Sequence, residues 1–520
     1  MPTEHQHIET ARNLIAKGEL DAAETTLFAI IANDDPAKAE ATCLLSSVYQ
    51  KRGLFDLALS MLTRQARTTP NDPLVWGVLA DLQAALGDFD AATQSAQQSL
   101  ALHPSNSNLA LKCINWQLNT PTPGAQIRTA FETWAKRHLP VAAPQSSAQT
   151  GPLSGRKLRV GYVSGDLRRH PVFFFIAPYL RHHDHTRFDV HVFMTKAGDE
   201  HTQELKSLVP HWHDVQDLSS EVLLDYIRQQ GIDVLIDLSG HSDGHRLEVF
   251  QQRAAPVQLT WFGTVSTLGM EGMDYRLTDA HQSPPAAEAF YTERLHRLSA
   301  LTAYEMPAGF SGPHPAPFHR NGFVTLISLN HERKIGDETL VLWREILLRN
   351  PTAGLMIVSG NHGEAAASAA FERRLTRFGL PKDRVVVIGR LPLPEFINLS
   401  AVADFALDSY PVSGGATTFH SLAMGLPVAT IRPQAPVALY GYTSAILDSL
   451  GMVECIASGP NEYVDIVSSL VQDTKTLDHL RSKAHRSMQD SAYMAHENRV
   501  HELEGVFAQV IQSPYSCAEP

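Results

Sequence analysis

Two patterns of apolar and polar positions divide the chain. In the first third a phrase repeats: Gly18-Glu19-Leu20-Asp21-Ala22-Ala23, Gly53-Leu54-Phe55-Asp56-Leu57-Ala58 and Gly87-Asp88-Phe89-Asp90-Ala91-Ala92. The glycines are 35 and 34 residues apart, Pro36, Pro70 and Pro104 recur every 34, and Ala23, Ala58 and Ala92 fall five positions after each glycine. This predicts a helix, a glycine turn, a second helix drawn close through the small residue, and a proline opening the next unit. Ser105–Leu118 predicts a capping helix, and Gln126–His138 a further amphipathic one. From Lys157 the pattern changes to short apolar runs separated by helical segments: Leu158–Val163, Phe188–Phe193, Ile232–Leu238 and Val257–Phe262. A second set comprises Phe323–Ser328, Gly354–Val358, Val385–Ile388, Phe405–Leu407 and Pro427–Thr430.

The repeated unit resembles the tetratricopeptide repeat (TPR), three times over. Strands alternating with helices predict parallel sheets covered on both faces, and two such sets predict two Rossmann-like lobes with a cleft between them. The expected fold class is α + α/β, an N-terminal TPR α-solenoid followed by two Rossmann-like domains. The expected boundaries are 1–120 for the repeats and cap, 121–155 for a connecting helix and linker, 156–318 for the N-terminal lobe, and 319–515 for the C-terminal lobe with a C-terminal helix. Pro140–Gly155, rich in Pro, Ala, Ser and Gln, reads as the linker.

Composition narrows the function. A net charge of −12 over 520 residues argues against a general nucleic-acid binder. Cys43, Cys113, Cys455 and Cys517 form no CxxC pair, so neither a disulfide framework nor zinc-finger spacing is expected. The N-terminus carries no signal pattern and no run of about 18 apolar residues is present. No membrane partner and a cytoplasmic location are therefore expected.

The candidate chemistry lies just after strands, where ligands of such sheets bind. Ser328-Leu329-Asn330-His331-Glu332-Arg333-Lys334 leaves the first strand of the second set, and a lysine there can stabilise charge on a departing diphosphate. Gly414-Gly415-Ala416-Thr417-Thr418 follows the Phe405–Leu407 run and opens a helix, which aims free N–H groups and a positive helix end at an anion. In the first lobe, Ser164-Gly165-Asp166-Leu167-Arg168-Arg169-His170-Pro171 and Asp237-Leu238-Ser239-Gly240-His241 each place a histidine after a strand, suited to exchanging a proton with an acceptor hydroxyl. Arg181-His182-His183-Asp184-His185 lacks metal-ligand spacing and reads as a loop. GxxxxGK[ST] and HExxH are absent from the sequence.

Taken together, Arg159–Asp166, His170-Pro171, Asp237–His241, Ala255-Pro256-Val257-Gln258, Met273-Asp274-Tyr275, Asn330 with Lys334, and Gly414–Thr418 resemble the O-GlcNAc transferase/SPINDLY family of glycosyltransferases. The resemblance implies a GT-B fold and inverting, metal-independent transfer of a sugar to Ser or Thr hydroxyls of a protein acceptor presented by the TPR domain. UDP-GlcNAc is the leading donor, with GDP-fucose or another nucleotide sugar the alternative; a TPR scaffold with degenerate lobes is a further one. No cofactor beyond the donor substrate is implied. The implied catalytic residues are His170, His241 and Lys334, and the donor side comprises Asn330, Lys334, Leu391, Phe396, Gly415, Ala416, Thr417, Thr418 and Gly263. The general base stays open among His170, His241 and a donor phosphate oxygen. The chain departs from the family pattern at Phe174, Phe396 and Ala416, where histidines or a threonine are common, and at Gly441, where an arginine is usual.

Overall fold

A computed structural model describes residues 4–32, 37–120, 122–141, 155–358, 365–433 and 441–512. Pro36, Cys517 and most of the Pro140–Gly155 segment lie outside them. The N-terminal third is a ladder of paired helices: α1 (Glu4–Lys17) and α2 (Leu20–Ala32), α3 (Lys38–Lys51) and α4 (Phe55–Thr68), α5 (Pro73–Ala85) and α6 (Phe89–Leu102). Gly18, Gly53 and Gly87 turn each pair at φ of +78°, +68° and +82°, a region costly for a residue with a Cβ. Ala23, Ala58 and Ala92 are fully buried where the paired helices meet. Asp72 and Asp88 cap α5 and α6 by accepting the Leu74 and Ala91 N–H groups. Then come α7 (Ser107–Gln117) and α8 (Gly124–His138). α8 is not a mere connector: its Ile127, Phe131 and Trp134 share one core with Val163, Phe193, Leu235 and Phe250 of the first lobe.

The first lobe holds seven parallel strands: β1 (Leu158–Ser164), β2 (Phe188–Met194), β3 (His211–Asp214), β4 (Val234–Asp237), β5 (Val257–Thr260), β6 (Tyr275–Asp279) and β7 (Arg294–Leu298). Their order is β3-β2-β1-β4-β5-β6-β7. The second lobe holds β8 (Thr325–Ser328), β9 (Gly354–Val358), β10 (Val385–Ile388), β11 (Phe405–Leu407), β12 (Val428–Ile431) and β13 (Ile456–Ala457), in the order β10-β9-β8-β11-β12-β13. Buried parallel strands read as continuous apolar runs, which is why β1, β2, β4 and β5 were legible. β3, β6 and β7 escape the apolar pattern because they carry polar residues such as His211, His213, Arg276 and Arg294. Strand order reverses between β1 and β4 in one sheet and between β8 and β11 in the other. A crevice opens at such a switch point, and the four loops singled out from the sequence are the ones that flank the two reversals.

The last described helix, His496–Gln512, corrects the expected boundary. It packs Val500, Leu503, Phe507 and Val510 into the core of the first lobe, beside Tyr162, Tyr179 and Phe188, and not against the second sheet. Its Glu504 Oε1 lies 3.0 Å from His183 Nδ1, whose Nε2 is 2.8 Å from the Tyr162 hydroxyl. The Arg181–His185 run is thus a clasp for this helix. The lobes also meet through α9 (Phe173–His182): Phe175 enters the second-lobe core, 5.2 Å between ring centroids from Phe419. No described helix is long and apolar enough to cross a membrane.

Candidate functional site

At the second switch point, the buried carboxylate of Asp408 gathers both loops. Its Oδ1 accepts from Asn330 Nδ2 at 2.9 Å and from the Gly414 N–H at 2.7 Å, and its Oδ2 accepts from Thr430 Oγ1 at 2.7 Å. Burial pushes its pKa above the usual carboxylate range while these donors pull it back. Asn330 Oδ1 in turn accepts from Thr417 Oγ1 at 3.1 Å, and Thr418 Oγ1 is 2.9 Å from Thr443 Oγ1. The loop after β8 and the loop after β11 are therefore one hydrogen-bonded unit.

Lys334 stands on that unit. Its Nζ donates to the Ser413 carbonyl at 3.0 Å, and burial lowers its pKa, with Asp408 opposing. A half-buried ammonium has lost hydration, so an anion arriving beside it gains more than it would at an open surface. The adjacent helix, Ala416–Ala423, has Gly415 at its N-cap and no side-chain cap, which leaves its first turn open to an anion. A Cβ on Gly414 would lie 2.7 Å from Thr418 Oγ1 and 2.9 Å from Thr417 Oγ1, so glycine is required there. At Gly415 the nearest atom is 3.7 Å away, on Tyr442. Ala416 is half-buried against the second-lobe core.

The other residues expected on the donor side lie on neighbouring elements and, for Gly263, in the first lobe. Phe396 meets the His420 ring edge-on at 5.7 Å, and Leu391 packs half-buried on the same core. His420 is fully enclosed: Phe174 of the first lobe lies 5.2 Å from it, and the Tyr304 hydroxyl is 2.7 Å from its Nδ1. Burial drives its pKa down to about 4, so it is neutral at pH 7. Gly263, at φ +80°, would place a Cβ 2.1 Å from the Ser239 carbonyl, so it fixes the crossing of the loops after β4 and β5.

The two sequence-selected histidines part company. His170 sits half-buried on the loop after β1; its Nδ1 accepts the Val172 N–H at 3.4 Å, and burial lowers its pKa against the pull of Asp166. His241 is buried elsewhere. Its ring stacks on Phe131 of α8 at 4.0 Å, stands edge-on to Trp134 at 5.8 Å, and lies with Nε2 3.3 Å from the Leu268 carbonyl. Its pKa falls to about 3. These contacts belong to the seam between α8 and the first lobe, and none reaches the Lys334 cluster. Sequence reasoning missed Asp408, Ser413, Thr443 and His420. A signal for Asp408 existed: a carboxylate closing an apolar strand, six residues before Gly414.

A cavity of about 540 Å³ joins this unit to the repeats. Lys334, Gly336, Asp337 and Val412 line one side, and Leu86–Asp90 with Asn119 line the other. Arg373 of the second lobe pairs with Asp56 at 3.4 Å.

A helical-repeat array followed by two Rossmann-like lobes, with a lysine and an open helix end at the second switch point, defines a nucleotide-handling class of two-lobed proteins. Residues 137–306 and 320–503 match the family described as Glycosyl transferase family 41, and the chain belongs to that family. The probable UDP-N-acetylglucosamine–peptide N-acetylglucosaminyltransferase SPINDLY of Solanum lycopersicum is 30% identical over 369 residues, 70% of this chain and 39% of that protein. Its counterpart in Oryza sativa subsp. japonica is 29% identical over 428 residues, 80% of this chain and 45% of that protein. The chain thus spans less than half the length of these curated relatives. A solved structure of a lysine-to-methionine mutant of Thermobaculum terrenum O-GlcNAc transferase superposes with a TM-score of 0.82 at 29% identity, over 99% of this chain and 100% of that one.

Proposed function

We propose that this chain is a protein O-glycosyltransferase that moves a sugar, GlcNAc from UDP-GlcNAc, onto Ser or Thr hydroxyls with inversion. The observation that carries the reading is Lys334: half-buried, held by the Ser413 carbonyl at 3.0 Å, and beside the uncapped Ala416–Ala423 helix. In the reaction the acceptor oxygen attacks the anomeric carbon. The bond from that carbon to the diphosphate breaks, and the diphosphate keeps the electron pair. Lys334 and the helix end then face the charge that develops on the phosphates, which is the task a metal ion performs elsewhere. The acceptor proton goes to a base on the first-lobe side or to a phosphate oxygen. His170 is the half-exposed histidine of the two considered, whereas His241 is enclosed by Phe131 and Trp134. The names of the SPINDLY relatives support a UDP-GlcNAc donor and a peptide acceptor. The cavity shared by Lys334 and the third repeat supports an acceptor held by the TPR array.

The test is calorimetric titration of UDP, GDP and CMP sugars into the pure protein, with transfer to peptide followed in parallel. UDP-GlcNAc should bind and be turned over, and Lys334→Ala should lose ~100–1,000-fold in turnover while folding normally. Binding of GDP-fucose alone would replace the donor. Failure of every nucleotide sugar to bind, or unchanged turnover in Lys334→Ala, would overturn the reading.

A further inference from the structure

The far edge of the first sheet carries a side-chain cluster that the Lys334 cleft does not use. β3 runs parallel to β2 with His191 opposite His211. Asp189, two residues before His191, shares its face, because alternate strand residues point the same way. The two imidazoles stack with centroids 4.4 Å apart. His211 Nε2 lies 2.9 Å from Asp189 Oδ1, and His191 Nε2 lies 3.6 Å from Asp189 Oδ2. One ligand atom from each of the three falls within 4.8 Å of the others. His191 is 5% exposed, yet its Nε2 has no hydrogen-bond partner among the described residues.

Behind His191 stands a relay. Its Nδ1 is 3.1 Å from His213 Nε2, and His213 Nδ1 is 2.8 Å from the Tyr226 hydroxyl. A tyrosine hydroxyl accepts as readily as it donates. When it accepts, His213 carries its proton on Nδ1 and offers Nε2 to a proton on His191 Nδ1. The His191 Nε2 lone pair is then left facing the Asp189 carboxylate. Two acceptors facing each other across 3.6 Å repel unless a cation lies between them. Ligating histidines are oriented in the same way, by giving the other ring N–H to a neighbour.

We propose that Asp189, His191 and His211 bind one divalent first-row transition ion, with zinc(II) the best match to two imidazoles, one carboxylate and a water. Metal–ligand distances of ~2.0–2.2 Å in a tetrahedron set neighbouring ligand atoms roughly 3.3–3.5 Å apart. The histidine nitrogens lie 2.9 and 3.6 Å from the two oxygens of Asp189, on either side of that value, and one ligand atom from each residue falls within 4.8 Å of the others. Arg159 is the competing cation: its Nε is 3.8 Å from Asp189 Oδ2. Its Nη1 also donates to the Gln230 carbonyl at 3.1 Å, so the guanidinium keeps a partner when a metal takes the carboxylate. The ligands lie within β2 and β3, one and two strands away from β1 at the β1/β4 reversal. The ion therefore clips the four-residue β3 to the sheet and takes no part in transfer.

The test uses the full chain without an affinity tag, stripped with chelator and titrated with zinc sulfate in a calorimeter. One saturable equivalent is expected, with a Tm that climbs with free metal. Cobalt(II) should give the visible absorption of a four-coordinate site. His211→Ala, which alters an exposed ring, should abolish both signals and leave the metal-free Tm unchanged, and Asp189→Asn should do the same. Absence of a saturable equivalent would overturn the proposal. So would an equivalent that survives in His211→Ala, or one lost only in a His182→Ala/His185→Ala double variant.

Discussion

The two lobes share one device and use it differently. In the first, buried Asp237 at the end of β4 accepts the Gly240 N–H at 3.0 Å and Thr260 Oγ1 of the next strand at 2.9 Å. In the second, buried Asp408 just past β11 accepts the Gly414 N–H at 2.7 Å and Thr430 Oγ1 of the next strand at 2.7 Å. β4 and β11 occupy the same place relative to the two reversals. The loops differ in length. Gly240 lies three positions after Asp237, and the turn closes on the Gly263–Thr264 crossing. Gly414 lies six positions after Asp408, and the longer turn leaves a helix end open beside Lys334. One carboxylate clamp therefore welds the first lobe shut against α8 and holds the second open to an anion.

The comparison can be broken most severely at the carboxylates. Asp408→Ala and Asp237→Ala each strand several buried donors, and each should cost on the order of 3–5 kcal/mol in urea unfolding. They should diverge in function, with Asp408→Ala losing nucleotide binding by calorimetry and Asp237→Ala retaining it in whatever fraction stays folded. Equal loss of binding in both would show that the clamps are not specialised. A smaller effect separates the two glycines. Gly414→Ala must displace both threonine hydroxyls and should cost about 1–3 kcal/mol, together with weaker nucleotide binding. Gly415→Ala meets nothing closer than 3.7 Å and should leave stability nearly unchanged.

A further probe is pH. His241 and His420 are held neutral by burial at about 3 and about 4, below their ordinary value of 6.5. A group depressed in the folded state stabilises above its unfolded pKa, and that contribution is lost as pH falls towards the folded pKa. Between pH 6.5 and about 4 the unfolded chain binds the extra proton, so each histidine should remove roughly 1.4 kcal/mol of stability per pH unit. His241→Phe keeps a ring against Phe131 and should flatten the acid limb of a Tm-versus-pH curve by one histidine's share. An unchanged slope would mean that His241 titrates normally.

Local chemistry decided what could be read from the residues. The repeat turns were legible because a left-handed turn demands glycine at a fixed period, and the buried strands because both of their faces are apolar. Lys334, Asn330 and Thr417 were legible as a cluster because each follows a strand that ends at a reversal. His241 also follows a strand at a reversal, and the short loop after β4 turns its ring into the α8 seam. Asp408 was missed because a carboxylate closing an apolar strand gains its meaning only when Asn330, Gly414 and Thr430, from three separate segments, are brought to it. The crossing of the final helix was illegible for a related cause. An apolar stripe at Val500, Leu503 and Phe507 states that a face is buried and not against which sheet.

That crossing bears on how the protein is made. The seven strands of the first lobe are complete at Leu298, but the side chains that cover one face arrive with His496–Gln512, about two hundred residues later. At ribosomal speeds the gap is on the order of tens of seconds. Throughout it, Tyr162, Tyr179 and Phe188 wait uncovered, so a nascent chain stalled before the last helix would expose a sticky, half-roofed sheet to every neighbour on the polysome.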